Sequence, residues 1–297
     1  MGQGIVVIIA SFRRPIELGR WLDHVSRQSV KPLELIWAVT GDADLPSDWA
    51  TDGAIRPTVV RSPTGLTVQR NHGLAAITSD PALIAFFDDD YVPTSTCFED
   101  VIASFAALPD AVGLTGLMVS DGINSSGIAY DDALALVEAH ERQGRVPAGA
   151  VTLEPWDGLY GCNMVYRADA IGDERFDENL PLYAWQEDVD FAFRVAKGRS
   201  IGRTNGFAGV HQGVKGGRTS GRRFGYSQIV NPVYLYRKGS MKRRKMIVMA
   251  SKNVIANHVR SFRPESWIDR RGRVVGNWLG ILDLIRGKVD PRNALNV

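Results

Sequence analysis

Short apolar runs punctuate the first part of the chain. Residues 4–10, 33–39 and 83–87 are continuous runs rich in β-branched and aromatic side chains, which predict strands buried on both faces of a parallel sheet. Ligands of an open α/β sheet bind beyond the carboxyl ends of its strands. Residues 11–14 and 88–90 follow two of these strands directly, so we expect them to border a binding site.

Amphipathic segments alternate with these strands. Pro15 fits the first turn of one helix, residues 70–77 predict a second, and Thr96 and Glu99 have the spacing of a capping box at the start of a third. The alternation predicts an α/β fold with a mostly parallel central sheet flanked by helices. The apolar positions three and four residues apart that support the first and third helices are Leu18, Trp21, Leu22, Val25, Phe98, Val101, Ile102 and Phe105.

The pattern is less regular in the middle of the chain. Residues 111–119 and 159–166 predict two further strands, and residues 187–197 predict a short helix that Gly198 ends. Residues 213–225 are rich in Gly, Arg, Ser and Thr and predict a mobile loop. Beyond about residue 224 the spacing becomes helical.

The balance of acidic and basic residues also changes toward this part of the chain. The net charge is only +2, yet residues 242–297 carry 13 basic against 4 acidic side chains, and no acidic residue lies between Asp190 and Glu265. Such asymmetry indicates an anionic partner for the basic part. We therefore divide the chain into an α/β domain, residues 1–222, and a basic, mainly helical extension, residues 223–297.

The cysteine content and the hydropathy of the chain indicate the cellular compartment that we expect for it. The two cysteines, Cys97 and Cys162, have no metal-type spacing and are expected to be reduced thiols, as in the cytoplasm. No apolar run has the length of a signal sequence or a membrane span. We expect a cytoplasmic protein, either soluble or attached to the inner face of the cytoplasmic membrane.

Three adjacent carboxylates follow the third predicted strand. Asp88, Asp89 and Asp90 repel one another unless something compensates their charge. Oxygen ligands of this kind suit Mg²⁺ or Mn²⁺, and such an ion neutralises a departing phosphate. A solvated acidic turn or a Ca²⁺ loop are the alternatives for these residues taken alone.

A second carboxylate cluster opens the helix predicted at residue 187. Glu187, Asp188 and Asp190 either stabilise the positive end of that helix or supply a base that takes a proton from an attacking hydroxyl. Trp185, just before them, either stacks on a sugar or belongs to the core.

His211 ends a predicted strand and precedes a basic segment. It is either structural, a third metal ligand or a phosphate contact. Lys215, Arg218, Arg222 and Arg223 either close over a diphosphate or form a solvated basic loop. Because no acidic residue in that loop compensates them, we favour anion binding.

Five segments together resemble the inverting family-2 glycosyltransferases of bacterial polysaccharide and glycolipid assembly. They are VVIIASFRRP at 6–15, QRNHGL at 69–74, FFDDD at 86–90, GCNMVYR at 161–167 and WQEDVDF at 185–191. They follow the family's order over roughly the first 215 residues. The resemblance implies a GT-A fold and the transfer of a sugar from a nucleotide diphosphate sugar, most commonly a UDP-sugar, with Mn²⁺ or Mg²⁺; dTDP and GDP donors stay open.

The resemblance and the chemistry of the residues together assign roles to particular positions. Asp188 would be the base, with Glu187 beside it, and Trp185 would contact the acceptor. Asp88, Asp90 and His211 would hold the metal. The nucleotide and donor sugar would contact Ser11, Phe12, Arg13, Arg14, Asp42, Arg70, Asp88, Asp89, Gly161, Asn163 and Arg218. Asp42 stands where the family usually has an acidic turn for the nucleobase.

The basic extension resembles that of family members that act on lipid-linked acceptors, in RVVGNWLG at 273–280 and DLIRG at 283–287. It would suit an anionic membrane surface and a glycan or lipid-linked acceptor; a helical cap on the α/β domain is the alternative. We expect no nucleic acid, because no recognised motif accompanies the charge.

Three other function classes fit the sequence less well than a transferase does. A sugar-1-phosphate nucleotidyltransferase usually needs a Gly-rich phosphate loop with a lysine, which residues 11–14 do not provide. A non-catalytic sugar-nucleotide-binding relative would not need both carboxylate clusters. A dinucleotide-dependent dehydrogenase is excluded, because no G-x-G-x-x-G follows the first strand.

Overall fold

The computed structural model describes residues 4–47, 49, 56–216 and 220–297. Within them, nine strands form one sheet in the order β3-β2-β1-β4-β8-β6-β9-β5, with β7 paired to β9. The strands are β1 (Ile5–Ala10), β2 (Glu34–Val39), β3 (Thr58–Arg61), β4 (Leu83–Asp88), β5 (Tyr91–Pro93), β6 (Ala111–Asp121), β7 (Leu153–Pro155), β8 (Asn163–Arg167) and β9 (Ser200–His211).

The pairing makes six of these described strands run in one direction. β1, β2, β3 and β4 are mutually parallel, and β8 runs against both β4 and β6. β6 therefore has the direction of β4, and β9 is parallel to β6. The predicted α/β fold with a mostly parallel central sheet is confirmed, and the carboxyl ends of six strands lie along one edge.

The central strands are apolar on both faces because helices cover both. Val7 and Ile9 pack with Trp21 and Phe87 in one cluster, whereas Ile8 packs with residues of the opposite face in another. This alternation explains why β1 has no polar position. Burial of each such side chain contributes about 1.5–3 kcal/mol to the stability of the fold. The strands are therefore held firmly in place, and so are the ends of the loops that follow them.

Helices flank the sheet and continue beyond it. In the α/β domain they are α1 (Pro15–Arg27), α2 (Leu66–Ala75), α3 (Cys97–Ala107), α4 (Tyr130–Glu141), α5 (Ala168–Ile171) and α6 (Glu187–Ala196). The extension contains α7 (Gly221–Lys238), α8 (Arg243–Ser261) and α9 (Arg270–Ile285), followed by a short 3₁₀ segment, Pro291–Asn296. Among the described residues, none of the helices combines the length and the apolarity needed to cross a bilayer.

Three local predictions are wrong. The capping box is absent: Thr96 donates to the carboxylate of Asp100 at 2.6 Å and caps nothing. The second helix begins at Leu66 rather than at residue 70, because its buried first turns carry polar side chains that show no apolar period. Residues 221–225 begin α7 instead of belonging to a loop.

The extension is attached to the α/β domain through buried ionic contacts. Asp190, on α6, accepts hydrogen bonds from Ser240 at 2.5 Å and from Lys238 at 2.9 Å. Lys238 also donates to Asp177 at 2.6 Å. Asp190 therefore anchors the extension. The boundary expected at 222/223 lies within the first turn of α7 and stays a prediction.

Candidate active site

Polar side chains end three strands at the carboxyl edge of the sheet. Asp88 is the last residue of β4, Asp121 of β6 and His211 of β9. Asp121 and His211 are register partners on the parallel strands β6 and β9, and Asp88 is the register partner of Ala10, which precedes the loop at 11–14. The fold therefore brings together at one edge residues that are far apart in sequence.

Asp88, Asp90 and His211 form a candidate metal centre. One ligand atom from each lies within 4.8 Å of the other two. Asp90 Oδ1 is buried, has no hydrogen-bond partner among the described residues, and lies 3.4 Å from His211 Nε2. A buried carboxylate oxygen without a partner is costly, and a cation bound between these atoms would satisfy it. The donor set of two carboxylates and an imidazole fits Mn²⁺ or Mg²⁺.

Asp121 orients the histidine for this role. Its Oδ1 lies 2.9 Å from His211 Nδ1, so a proton on Nδ1 is held there and Nε2 faces Asp90. A carboxylate behind a histidine is the usual way in which proteins orient a metal ligand. Burial lowers the pKa of His211, but the nearby carboxylates of Asp121 and Asp90 stabilise the protonated imidazole and raise that pKa to about 10 when no cation is bound.

Asp89 and Asp90 also organise the loops around the site. Asp89 accepts hydrogen bonds from Ser11 Oγ at 2.7 Å and from Arg14 Nη1 at 2.8 Å. Arg14 in turn donates to the carbonyl oxygens of Val214 and Gly216, each at 2.9 Å. Asp90 Oδ2 accepts from the Val214 backbone N–H at 2.7 Å. The loop at 11–14 and the segment after β9 are thus joined through the aspartates.

A cavity of about 410 Å³ opens in front of these loops. Its size is in the range of ligand sites. Of the residues expected to contact the nucleotide or donor sugar, six line this cavity: Ser11, Phe12, Arg13, Arg14, Asp88 and Asp89. The other side is formed by the start of α2, by Tyr183, and by Ser220 and Arg223 at the beginning of α7.

A smaller cavity of about 120 Å³ adjoins the first, and Leu66, Asp88 and Tyr183 line both. Asp188 lines the smaller cavity, where its carboxylate accepts hydrogen bonds from the Gly161 N–H at 3.1 Å and the Val189 N–H at 2.8 Å. Burial of this carboxyl raises the pKa of Asp188 above its ordinary value, against the opposing hydrogen bond from Val189.

Arg70 connects the two carboxylate clusters. It is buried, forms an ion pair with Glu187, and donates to Asp88 Oδ1 at 3.1 Å and to the Gly161 carbonyl at 2.8 Å. Glu187 is buried as well, so its Oε1 is committed to the guanidinium. The smaller cavity is also lined by Arg70, Gly161, Trp185 and Glu187.

The structure does not bring every expected residue to these cavities. Asp42 is exposed and pairs with Arg61 at 2.5 Å, outside both linings. The side chain of Asn163 is fully buried and accepts a hydrogen bond from Thr115. Arg218 lies outside the described residues. Asp90 and His211 lie behind Asp88 and line neither cavity.

Three residues of the site carry no role in the sequence-based expectations. Asp121 is one; its place two residues after the strand predicted at 111–119 was the available signal. Asp44 is the second: it is buried and accepts hydrogen bonds at 2.7 Å from the backbone N–H groups of Arg13 and Thr40, so it shapes the loop at 11–14. Tyr183, shared by the two cavities, is the third and has no sequence signal.

Comparisons with known proteins agree with this geometry. The family model for glycosyl transferase family 2 matches residues 6–173, more than half of the chain. A search of curated proteins found no match. Among solved structures, S. aureus TarS has a TM-score of 0.52 at 13% identity; the match covers 88% of this chain but only 44% of TarS.

Two other solved structures show the same fold. Glucosyl-3-phosphoglycerate synthase from Mycobacterium tuberculosis, in complex with Mn²⁺, UDP and glucosyl-3-phosphoglycerate, has a TM-score of 0.51 at 16% identity, covering 82% of each chain. Mannosyltransferase PcManGT from Pyrobaculum calidifontis, in complex with GDP-Man and Mn²⁺, has a TM-score of 0.54 at 12% identity, covering 100% of this chain and 79% of its own. The expected GT-A fold is confirmed, and the chain belongs to glycosyl transferase family 2.

Proposed function

We propose that this protein is a metal-dependent, inverting glycosyltransferase. It moves a sugar from a nucleotide diphosphate sugar, most simply a UDP-sugar, to a hydroxyl of a glycan or lipid-linked acceptor in bacterial exopolysaccharide, lipopolysaccharide or glycolipid assembly. The observation that carries the proposal is the pair of adjoining cavities that share Asp88, because Asp88 belongs to the candidate metal centre and Asp188 lines the smaller of the two cavities. The expected cytoplasmic location stays a prediction.

Asp88, Asp90 and His211 would hold Mn²⁺ or Mg²⁺. The bound ion neutralises the charge that develops on the diphosphate as it leaves the sugar. Support for this assignment comes from the partnerless Asp90 Oδ1 and from the hydrogen bond that turns His211 Nε2 toward it. The Asp121 contact keeps the imidazole in one orientation, so little reorganisation accompanies binding.

The larger cavity receives the nucleotide in this proposal. Ser11 and Phe12 border it on the strand side, and Arg223 faces it from α7. Arg14 is occupied by Asp89 and two carbonyl oxygens, so we assign it to positioning the loops rather than to direct phosphate binding. The base-recognition role expected of Asp42 has no support from its position.

Asp188 is the proposed general base. Two backbone N–H groups fix its carboxylate at the smaller cavity, and the raised pKa makes it a better proton acceptor than an ordinary aspartate. It would take the proton from the acceptor hydroxyl while that oxygen attacks the anomeric carbon from the face opposite the departing diphosphate. One displacement of this kind inverts the anomeric centre.

Glu187 and Arg70 act as positioning residues in this scheme. Arg70 forms an ion pair with Glu187 and contacts Asp88, which lines both cavities. Trp185 lines the smaller cavity, and we assign it to contact with an acceptor sugar. Its ring also packs against Phe224 at 6.0 Å between centroids.

A thermal-shift screen of nucleotides tests the proposal. UDP, GDP and dTDP are added separately with Mn²⁺ and with a chelator. We expect one diphosphate to raise the melting temperature strongly, and only when Mn²⁺ is present. Stabilisation by none of the three, or equal stabilisation in the chelator, would contradict a metal-dependent nucleotide site.

A further inference from the structure

The last two long helices have an inside-out distribution of side chains. Every residue of α8 and α9 is described, and their fully buried positions are Asn257 on α8 and Arg270, Gly276, Asn277 and Gly280 on α9. None of these is a bulky apolar residue. Large apolar side chains are instead exposed on both helices. A buried polar interior together with an exposed apolar exterior is the informative departure from ordinary globular packing.

Polar contacts hold the interior of the extension together. Asn257 Nδ2 lies 2.8 Å from Gln228 Oε1 and 3.0 Å from Asn277 Oδ1. Asn277 donates to the Gly225 carbonyl at 2.7 Å, and Arg270 donates to Asn257 Oδ1 at 3.1 Å. Some apolar side chains of these helices, such as Met249 and Leu279, are partly buried, whereas several large ones stay exposed. Those side chains are left for another partner.

Helices α7 and α9 cross closely, and at the crossing their contact is not made by bulky apolar side chains. A Cβ atom at Gly276 would lie 2.0 Å from the carbonyl oxygen of Arg222, and one at Gly225 would lie 2.2 Å from that of Arg273. The two helices thus meet backbone to backbone at these two glycines, where no side chain fits between them.

Six of the exposed apolar residues fall into two rows, one on each helix, which together we call the apolar face. On α8 and the turn after it the spacing is four and three residues, and on α9 it is again four and three, so each set lies on one side of its helix. The sets meet where Trp278 Nε1 lies 3.0 Å from His258 Nε2. The residues of the apolar face are Ile255, Val259, Phe262, Trp278, Leu282 and Ile285.

Exposed basic side chains lie near this face in the sequence. Helix α8 contains no acidic residue, and the exposed residues at its edge and beyond the end of α9 include Lys252, Arg263, Arg286 and Lys288. A second copy of the chain would bring like charges together at the rim. A bilayer that contains anionic lipid satisfies both features at once, because it accepts apolar side chains at the acyl boundary and attracts the basic rim.

We propose that the apolar face lies in the headgroup–acyl boundary of an anionic phospholipid bilayer, with α8 and α9 parallel to the membrane plane. Phe262 and Ile285 are 85% and 77% exposed and enter the bilayer with Trp278. The interaction requires neither donor nor acceptor. Vesicle binding therefore tests it separately from the transferase proposal.

Flotation with vesicles is the test. The full chain is mixed with vesicles of phosphatidylcholine alone or of phosphatidylcholine and phosphatidylglycerol in equal parts. The test variant is Phe262→Ser/Ile285→Ser. The matched control, Phe193→Ser/Ile16→Ser, makes the same changes at residues of the α/β domain that are 52% and 67% exposed.

We expect the wild-type chain and the control to float with the anionic vesicles and far less with the neutral ones. The test variant should bind the anionic vesicles at least about tenfold more weakly. Equal loss in the control, or no difference between the two double variants, would overturn the proposal. A wild-type dimer in light scattering that becomes a monomer only in the test variant, with no vesicle binding, would assign the face to a second copy and also overturn it.

Discussion

Replacing Asp188 by asparagine separates chemistry from binding in this site. The wild-type carboxylate accepts one hydrogen bond on each oxygen, from Gly161 and from Val189. Asparagine has one acceptor oxygen, so it keeps one of these bonds and loses the other. The lost bond costs about 1 kcal/mol of stability, whereas the volume of the side chain is almost unchanged.

The cost to catalysis is much larger. A positioned general base contributes about a hundredfold to ten-thousandfold to a rate, which corresponds to roughly 3–5 kcal/mol of barrier. We therefore expect Asp188→Asn to lower kcat by about that factor. Nucleotide affinity should stay within about twofold of wild type, because the substitution lies on the smaller cavity and leaves the candidate metal ligands in place.

Two measurements on one preparation check this prediction. Release of the nucleoside diphosphate in the presence of acceptor gives kcat, and calorimetric titration with the same nucleotide and Mn²⁺ gives affinity. Asp132→Asn, an exposed change on α4, controls for the loss of a surface charge. Transfer by Asp188→Asn at the wild-type rate would refute the assignment of the base, and loss of nucleotide binding would refute the separation of the two cavities.

Other predictions follow from the same contacts. Asp121→Asn weakens the hold on His211, so the affinity for Mn²⁺ in calorimetry should fall by about tenfold to a hundredfold; unchanged affinity would contradict the orienting role. Asp190→Asn removes the buried charge that Ser240 contacts, and urea unfolding should show a loss of about 3 kcal/mol, whereas an unshifted midpoint would mean that the anchor is dispensable. Asp188 must be ionised to act as the base, and its pKa is raised above 3.8, the ordinary aspartate value. We therefore expect kcat/KM to fall as the pH decreases through a value above 3.8. A fall that begins only at or below pH 3.8 would exclude Asp188 as the titrating base.

The fold was predictable where burial is complete. β1, β2 and β4 are apolar on both faces, and their runs are unmistakable in the sequence. β3 is a four-residue strand at the sheet edge with no buried position, so it leaves no such run. The start of α2 was missed for a related reason: its buried residues Thr67 and Gln69 are polar and interrupt the apolar period.

The site residues that belong to recognisable sequence motifs could be predicted. Asp88, Asp90 and His211 are named by the resemblance, and the structure brings them together. Contacts between distant segments were not predictable. Neither the pairing of Arg70 with Glu187, 117 positions away, nor that of His211 with Asp121, 90 positions away, can be inferred from spacing. The first depends on α2 and α6 packing on the same face of the sheet, and the second depends on the register of β6 and β9.

The metal-dependent affinity for the nucleotide is the most direct test of the candidate active site. UDP, or whichever diphosphate the screen identifies, is titrated into wild type and Asp90→Asn, with Mn²⁺ and with a chelator. Asparagine can still accept the hydrogen bond from Val214, but its amide cannot serve as the charged ligand. We predict that Mn²⁺ strengthens binding to wild type and has no effect on Asp90→Asn. An equal Mn²⁺ effect in both proteins would contradict a metal centre formed by Asp88, Asp90 and His211.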